Sequence, residues 1–134
     1  MMEIVGIDHI VLRTNKLSEM IHFYCHILGC TLERKTENAI GLTQLRAGSA
    51  LIDLVEVDSE LGRQGGGAPS ITENNMDHFC LQLKATSVDE LSRHLLFHNI
   101  DVGKFEQRYG AQGYGKSLYI KDPQGNTVEL KPQC

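Results

Sequence analysis

The sequence has no excess of positive charge. Thirteen Lys and Arg stand against seventeen Asp and Glu, a formal net charge of −4. Proteins that bind nucleic acid or dock on anionic membranes need clustered positive charge, so neither partner is expected. No apolar run approaches the ~18–20 residues of a membrane-crossing helix. The first residues include Glu3, Asp8 and His9, where a secretory signal would have a basic start and a long apolar stretch. A cytoplasmic location is the expectation. Cys25, Cys30, Cys80 and Cys134 form no C-x-x-C pair and no zinc-ribbon spacing. A chain of 134 residues can build a core without a disulfide framework. The cysteines are therefore expected as reduced thiols, with Cys25 and Cys80 as packing residues in apolar runs.

What is present suits one globular domain: 41% hydrophobic and 22% charged residues. The chain also repeats itself. Ile7-Asp8-His9-Ile10-Val11-Leu12 is echoed by Met76-Asp77-His78-Phe79-Cys80-Leu81. Leu42 to Leu54 aligns without a gap on Leu118 to Leu130, which sets Asp53 on Glu129. The local patterns repeat in the same order. Residues 4–13 alternate as a strand. Asn15 is a plausible cap for a helix carrying Leu17, Met20, Phe23, Tyr24, Ile27 and Leu28, which Gly29 stops. Strands are expected near 31–36, 41–46 and 50–57. The second half offers a strand at 76–85 and a capping box, Ser87 with Glu90, that opens a helix. Strands near 102–107, 115–121 and 126–131 follow, with a turn at Asp122-Pro123-Gln124-Gly125. The expected organisation is one domain over 1–134, made of module 4–57 and module 76–131 joined by a flexible connector, 58–75, able to fold over a site.

Side chains alternate across a strand. His9, Val11 and Arg13 therefore share one face of the first strand, and His78, Cys80 and Gln82 one face of its counterpart. Asp53 and Glu129 lie opposite the apolar faces of their strands. Each half thus offers a histidine and a carboxylate turned from the helix. Two such halves facing each other would supply imidazole and carboxylate donors for one divalent ion: Zn, Ni, Mn, Co or Fe(II). Four ligands would leave room for water or substrate, as in a catalytic site.

The motifs D-H-x-x-L from Asp8, F-Y-x-x-x-L-G from Phe23 and D-P-x-G-N-x-x-E-L from Asp122 resemble those of the vicinal oxygen chelate superfamily. Its members include glyoxalase I, methylmalonyl-CoA epimerase, extradiol dioxygenases, fosfomycin resistance transferases and bleomycin-binding proteins. The resemblance spans about residues 4–131. It implies an α+β fold of two tandem βαβββ modules, forming a cupped, incomplete β-barrel. It implies a metal held by His9, His78 and Glu129, and a homodimer in which modules of two chains can build each site. Asp53 stands where glyoxalase I has glutamate and the epimerase glutamine, and is shorter than either.

By the same resemblance Glu129 is the proton-abstracting carboxylate, and Arg13 helps hold an anionic substrate. Tyr119, read onto Glu129's face, could donate a hydrogen bond to substrate. The expected activity is that of a metal-dependent lyase or isomerase. Its small substrate would carry vicinal oxygens, and a metal-stabilised enediolate would form. Without Asp53, the ligands His9, His78 and Glu129 resemble the triad of Fe(II) oxygenases and of the fosfomycin transferases. That opens an extradiol dioxygenase or thiol transferase as an alternative, and a non-catalytic binding protein is a third. Val57 and Ala111 fall near places where glyoxalase I-like enzymes contact glutathione with polar or basic groups.

Two other motifs compete. Gly110-Ala111-Gln112-Gly113-Tyr114-Gly115-Lys116-Ser117 matches the phosphate-loop pattern, but a strand ended by proline follows where a helix is required. A glycine-rich connection is expected instead. His22/His26 and His94/His98 are spaced four apart on helices, without the glutamate that a zinc protease motif needs, and read as exposed side chains. Glu56 is out of phase with Asp53 and reads as solvated.

Overall fold

The computed structural model describes residues 1–133. The chain divides into two compact units, Met1–Asn75 and the residues from Met76 onward. The first contains β1 (His9–Thr14), α1 (Leu17–Ile21), β2 (Thr31–Lys35), β3 (Leu42–Ala47) and β4 (Ala50–Glu56). The second contains β5 (Phe79–Leu83), α2 (Val88–Phe97), β6 (Glu106–Gly110), β7 (Gly113–Lys121) and β8 (Thr127–Pro132). Each unit is strand–helix–strand–strand–strand, as the repeat predicts. Each sheet has four strands, in the order β1-β4-β3-β2 or β5-β8-β7-β6. The first and last strands of each unit run parallel, the helix leads from the first strand to the second, and the other pairings are antiparallel. The fold is α+β, and neither sheet closes into a barrel.

The apolar faces form the interiors. Leu12, Met20, Phe23, Tyr24, Leu45, Ile52 and Leu54 are buried in the first unit; Leu95, Leu118, Ile120, Val128 and Leu130 are buried in the second. Burying such a face is the main favourable term, at ~25 cal/mol per Å² of apolar surface. It also fixes which side chains point the other way, and those are the chemical ones.

Several boundaries differ from expectation. The first strand begins at His9, not residue 4: the last pairing is His9 with Leu51, and the Asp8 carbonyl accepts from Leu51 N. Its partner β4 starts at Ala50, so this unit offers no strand for earlier residues. β5 likewise starts at Phe79, one residue after His78. The N-cap of α1 is Lys16, whose N–H donates to Thr14 Oγ1. Past Ile21 the helix widens into a π-helical turn, His22–Ile27, and Gly29 at φ +91° ends it. Ser87 Oγ accepts from Glu90 N, as a capping residue should.

The gapless repeat slips by one residue. Asp53 pairs with Gln44 and Glu129 with Tyr119, whereas the gapless alignment sets Gln44 on Ile120. The cause is a longer second turn, in which the Asp122 carboxylate accepts from Gln124 N and Asn126 N. The phosphate-loop look-alike is a β-hairpin. Tyr109 pairs with Tyr114 and Gly110 with Gly113, leaving Ala111-Gln112 as the loop. No helix terminus is present there to hold a phosphate.

Candidate functional site

In the second unit, Glu129 lies opposite Cys80 on β5 and Tyr119 on β7. His78 precedes Cys80 by two residues and so projects on the same face. Its Nε2 stands 3.3 Å from Glu129 Oε1, and its Nδ1 lies 2.6 Å from the carboxylate of Asp77. The other oxygen of Glu129 accepts from Ser117 Oγ at 2.7 Å. Tyr119 meets the His78 ring edge-on at 5.3 Å, and the Arg108 guanidinium lies 4.3 Å above the Tyr119 ring.

The first unit repeats this at matched register. Asp53 lies opposite Val11, and His9 precedes Val11 by two. His9 Nε2 is 3.9 Å from Asp53, and its Nδ1 is 2.7 Å from Asp8. The amide of Gln44 donates to both oxygens of Asp53 at 3.2 Å. The hydrogen bond to Asp8 raises the pKa of His9, aided by the charge of Asp53 and opposed by desolvation.

These distances carry a chemical demand. An imidazole that donates Nδ1–H to aspartate presents an Nε2 lone pair, and that lone pair faces a carboxylate oxygen. Two acceptors so close need a cation between or beside them, either a proton on the ring or a metal ion. With metal–ligand bonds of ~2.0–2.1 Å, tetrahedral neighbours stand ~3.4 Å apart. The His78–Glu129 spacing matches that value, and the donors suit the ions named above. Among the described residues, no group of three or more His, Cys, Asp and Glu side chains stands in metal-holding geometry; each unit brings a pair.

Other candidates sit as follows. Arg13 donates to the carbonyls of Gly62, Gly66 and Gly67 at 2.5–3.0 Å, and its Nε is buried without a hydrogen-bond partner. Its guanidinium thus holds the connector in place. The connector is accordingly folded, with a 3₁₀ turn at Gly62–Gly65. Cys80 is exposed at its surface edge on the Glu129 face rather than packed, but the protein around its thiol partly strips it of water, and this desolvation, with the charge of Glu129, pushes it up to about 11. His22 and His26 stack on each other at 4.8 Å and both are exposed, as expected. Cys134 lies outside the described residues.

Sequence reasoning assigned no role to Asp8, Asp77, Gln44, Ser117 or Arg108. A signal existed for the two aspartates, since the Asp-His dipeptide occurs in both halves. Gln44, Ser117 and Arg108 depend on cross-strand register, which the slipped alignment hid.

The sequence matches the family model of the Glyoxalase/Bleomycin resistance protein/Dioxygenase superfamily over residues 6–130. The chain belongs to this superfamily. It is 30% identical over 126 residues to Virulence protein STM3117 of Salmonella typhimurium strain LT2, covering 92% of this chain and 81% of that protein. The crystal structure of that relative matches at a TM-score of 0.75 with 27% identity, over 99% of this chain and 100% of the other. Lactoylglutathione lyase from Agrobacterium tumefaciens shares the fold at a TM-score of 0.69 and 22% identity, over 96% of this chain and 93% of that one. TnmS3, an antibiotic binding protein from Streptomyces sp. CB03234, does so at 0.69 and 17% identity, over the full length of both. Among the described residues, no helix is long and apolar enough to cross a membrane.

Proposed function

We propose that the protein is a metal-dependent lyase or isomerase of the glyoxalase type, acting on a small substrate with vicinal oxygens. His9, Asp53, His78 and Glu129 are the proposed ligands of one divalent ion, in an assembly of two copies of the chain. The observation that carries this reading is the repeated His–carboxylate pair. It occurs at the same register in both units, and an adjacent aspartate holds each ring. When bound, the ion supplies Lewis acidity toward the substrate's paired oxygens.

The chain's own residues would do the rest. Glu129 takes a proton from the carbon next to the polarised group and returns it to the neighbouring carbon, so the reaction is redox-neutral. Tyr119, opposite Glu129, directs its hydroxyl toward substrate. Asp77 and Asp8 hold the imidazoles in the tautomer that leaves Nε2 free.

One observation favours a second reading. Asp53 is farther from its histidine than Glu129 is, and both its oxygens are engaged by Gln44. A set of three ligands, His9, His78 and Glu129, would leave more open positions and suit an extradiol dioxygenase or a thiol transferase. The test is metal-depleted protein titrated with Zn, Ni, Co, Mn and Fe(II), then assayed in parallel. Oxygen-independent conversion of a hemithioacetal supports the lyase. Oxygen consumption with a catechol and Fe(II) moves the assignment to the dioxygenase. Protein that takes up no ion, and loses no stability on His78→Ala, would be a binding protein without this chemistry.

A further inference from the structure

Glu129 has two oxygens, and the second unit treats them differently. Oε1 faces His78 Nε2 at 3.3 Å. Oε2 accepts the hydroxyl of Ser117 at 2.7 Å. A hydroxyl has one proton and can also accept, so its direction depends on its other partners. Here the other partner is Arg108. One guanidinium nitrogen, Nη1, donates to Ser117 Oγ at 3.0 Å and to the Ser117 carbonyl at 2.6 Å. Arginine can only donate and an ionised carboxylate can only accept, so both partners direct the Ser117 proton at Glu129, and Arg108 fixes the hydroxyl in that rotamer. Ser117 is fully buried and Glu129 nearly so, which keeps water from competing. Arg108 is itself fixed. Lys131 Nζ donates to its carbonyl at 3.0 Å, and its guanidinium rests on Tyr119, the ring that abuts His78.

We infer that Arg108 is a positioning residue. Acting through Ser117, it commits one oxygen of Glu129 to a hydrogen bond and leaves the other as the working oxygen beside His78. The assignment rests on Glu129 being the working carboxylate of the proposed site. It adds that Arg108, on a strand other than that of Glu129, helps fix which oxygen works, by way of Ser117. The chain Arg108–Ser117–Glu129 is polarised in one direction, because each member donates to the next. Removing either of the first two members should then have the same effect, and removing both should do no further harm.

Four variants test this: Ser117→Ala, Ser117→Thr, Arg108→Gln and the double variant Ser117→Ala/Arg108→Gln. Two measurements are made on each. The first is Co(II) affinity by competition with a chelating dye, with the visible spectrum of the bound ion. The second is the side-chain carboxyl ¹³C shift of Glu129 in metal-free protein. Ser117→Ala and Arg108→Gln should each weaken Co(II) binding ~10-fold, the usual cost of losing an outer-shell partner, and change the spectrum alike. The double variant should be no weaker than either. Ser117→Thr, which keeps the hydroxyl, should stay within about threefold of the parent. In metal-free protein Ser117→Ala and Arg108→Gln should move the Glu129 carboxyl signal in the same direction, and the double variant no further. Additive losses, or an unmoved carboxyl signal in Arg108→Gln, would overturn the inference. If the parent itself binds no ion, the metal reading fails, while the ¹³C pattern still decides for or against the role of Arg108.

Discussion

His78 shows what one neighbouring aspartate does to an imidazole. Asp77 holds Nδ1, so Nε2 is the nitrogen offered to whatever sits beside Glu129. Replacing Asp77 with alanine should free the ring and weaken divalent-ion binding ~10–100-fold, read by dye competition, with little change in thermal stability because Asp77 is exposed. Glu129→Gln keeps the shape but removes the base. Turnover of any substrate the protein isomerises should fall by ~10²–10⁴ in kcat under metal-saturating conditions. Cys30 makes the opposite point, that of a group withdrawn from water. It is buried, and desolvation pushes its thiol up to about 11. At pH 8 roughly one thiol in a thousand is ionised. Alkylation of Cys30, followed by mass spectrometry in a Cys134→Ser background, should be at least ~100-fold slower in folded than in urea-unfolded protein. It should quicken ~10-fold per pH unit below pH 11.

At the scale of elements, register does the work. The parallel pairs β1–β4 and β5–β8 put each carboxylate opposite a residue two beyond its histidine. The antiparallel pairs bring in Gln44, Ser117 and Tyr119 from the neighbouring strand. Helix α2 stands apart from this chemistry. Ser87→Ala removes its cap and should cost about 1 kcal/mol in urea unfolding, with ion binding unchanged. Gly62 tests the folded connector. A Cβ there would meet the backbone oxygen of Glu56 at 1.8 Å. Gly62→Ala should therefore destabilise by ~1–3 kcal/mol and loosen the carbonyls that Arg13 holds.

At the scale of the whole molecule, superfamily membership fixes the architecture and leaves the reaction open, since one fold hosts many chemistries. The lyase and the antibiotic binding protein sharing this fold mark that range. Light scattering on the purified protein checks the proposed assembly. The expected mass is twice that of the chain, with one ion bound per chain. A monomer binding no ion would remove the shared-ligand reading.

The repeat, the element order and the identities of His9, His78, Asp53 and Glu129 were legible in the sequence. Strand alternation and the apolar face determine which way a side chain points, and both are local properties. Which face His78 and Glu129 occupy follows from these alone; that the two meet depends on the β5–β8 pairing. Three things were decided only by tertiary structure. One was the one-residue shift that makes Tyr119, rather than Ile120, the counterpart of Gln44; it arises in the length of a turn. Another was the set of hydrogen bonds that Arg13 makes, to carbonyls ~50 residues away that fold back onto it. The last was the Arg108–Ser117–Glu129 chain, which joins three strands. Contacts of this kind depend on which backbone atoms meet across distance in the chain, and no local pattern of residues encodes that.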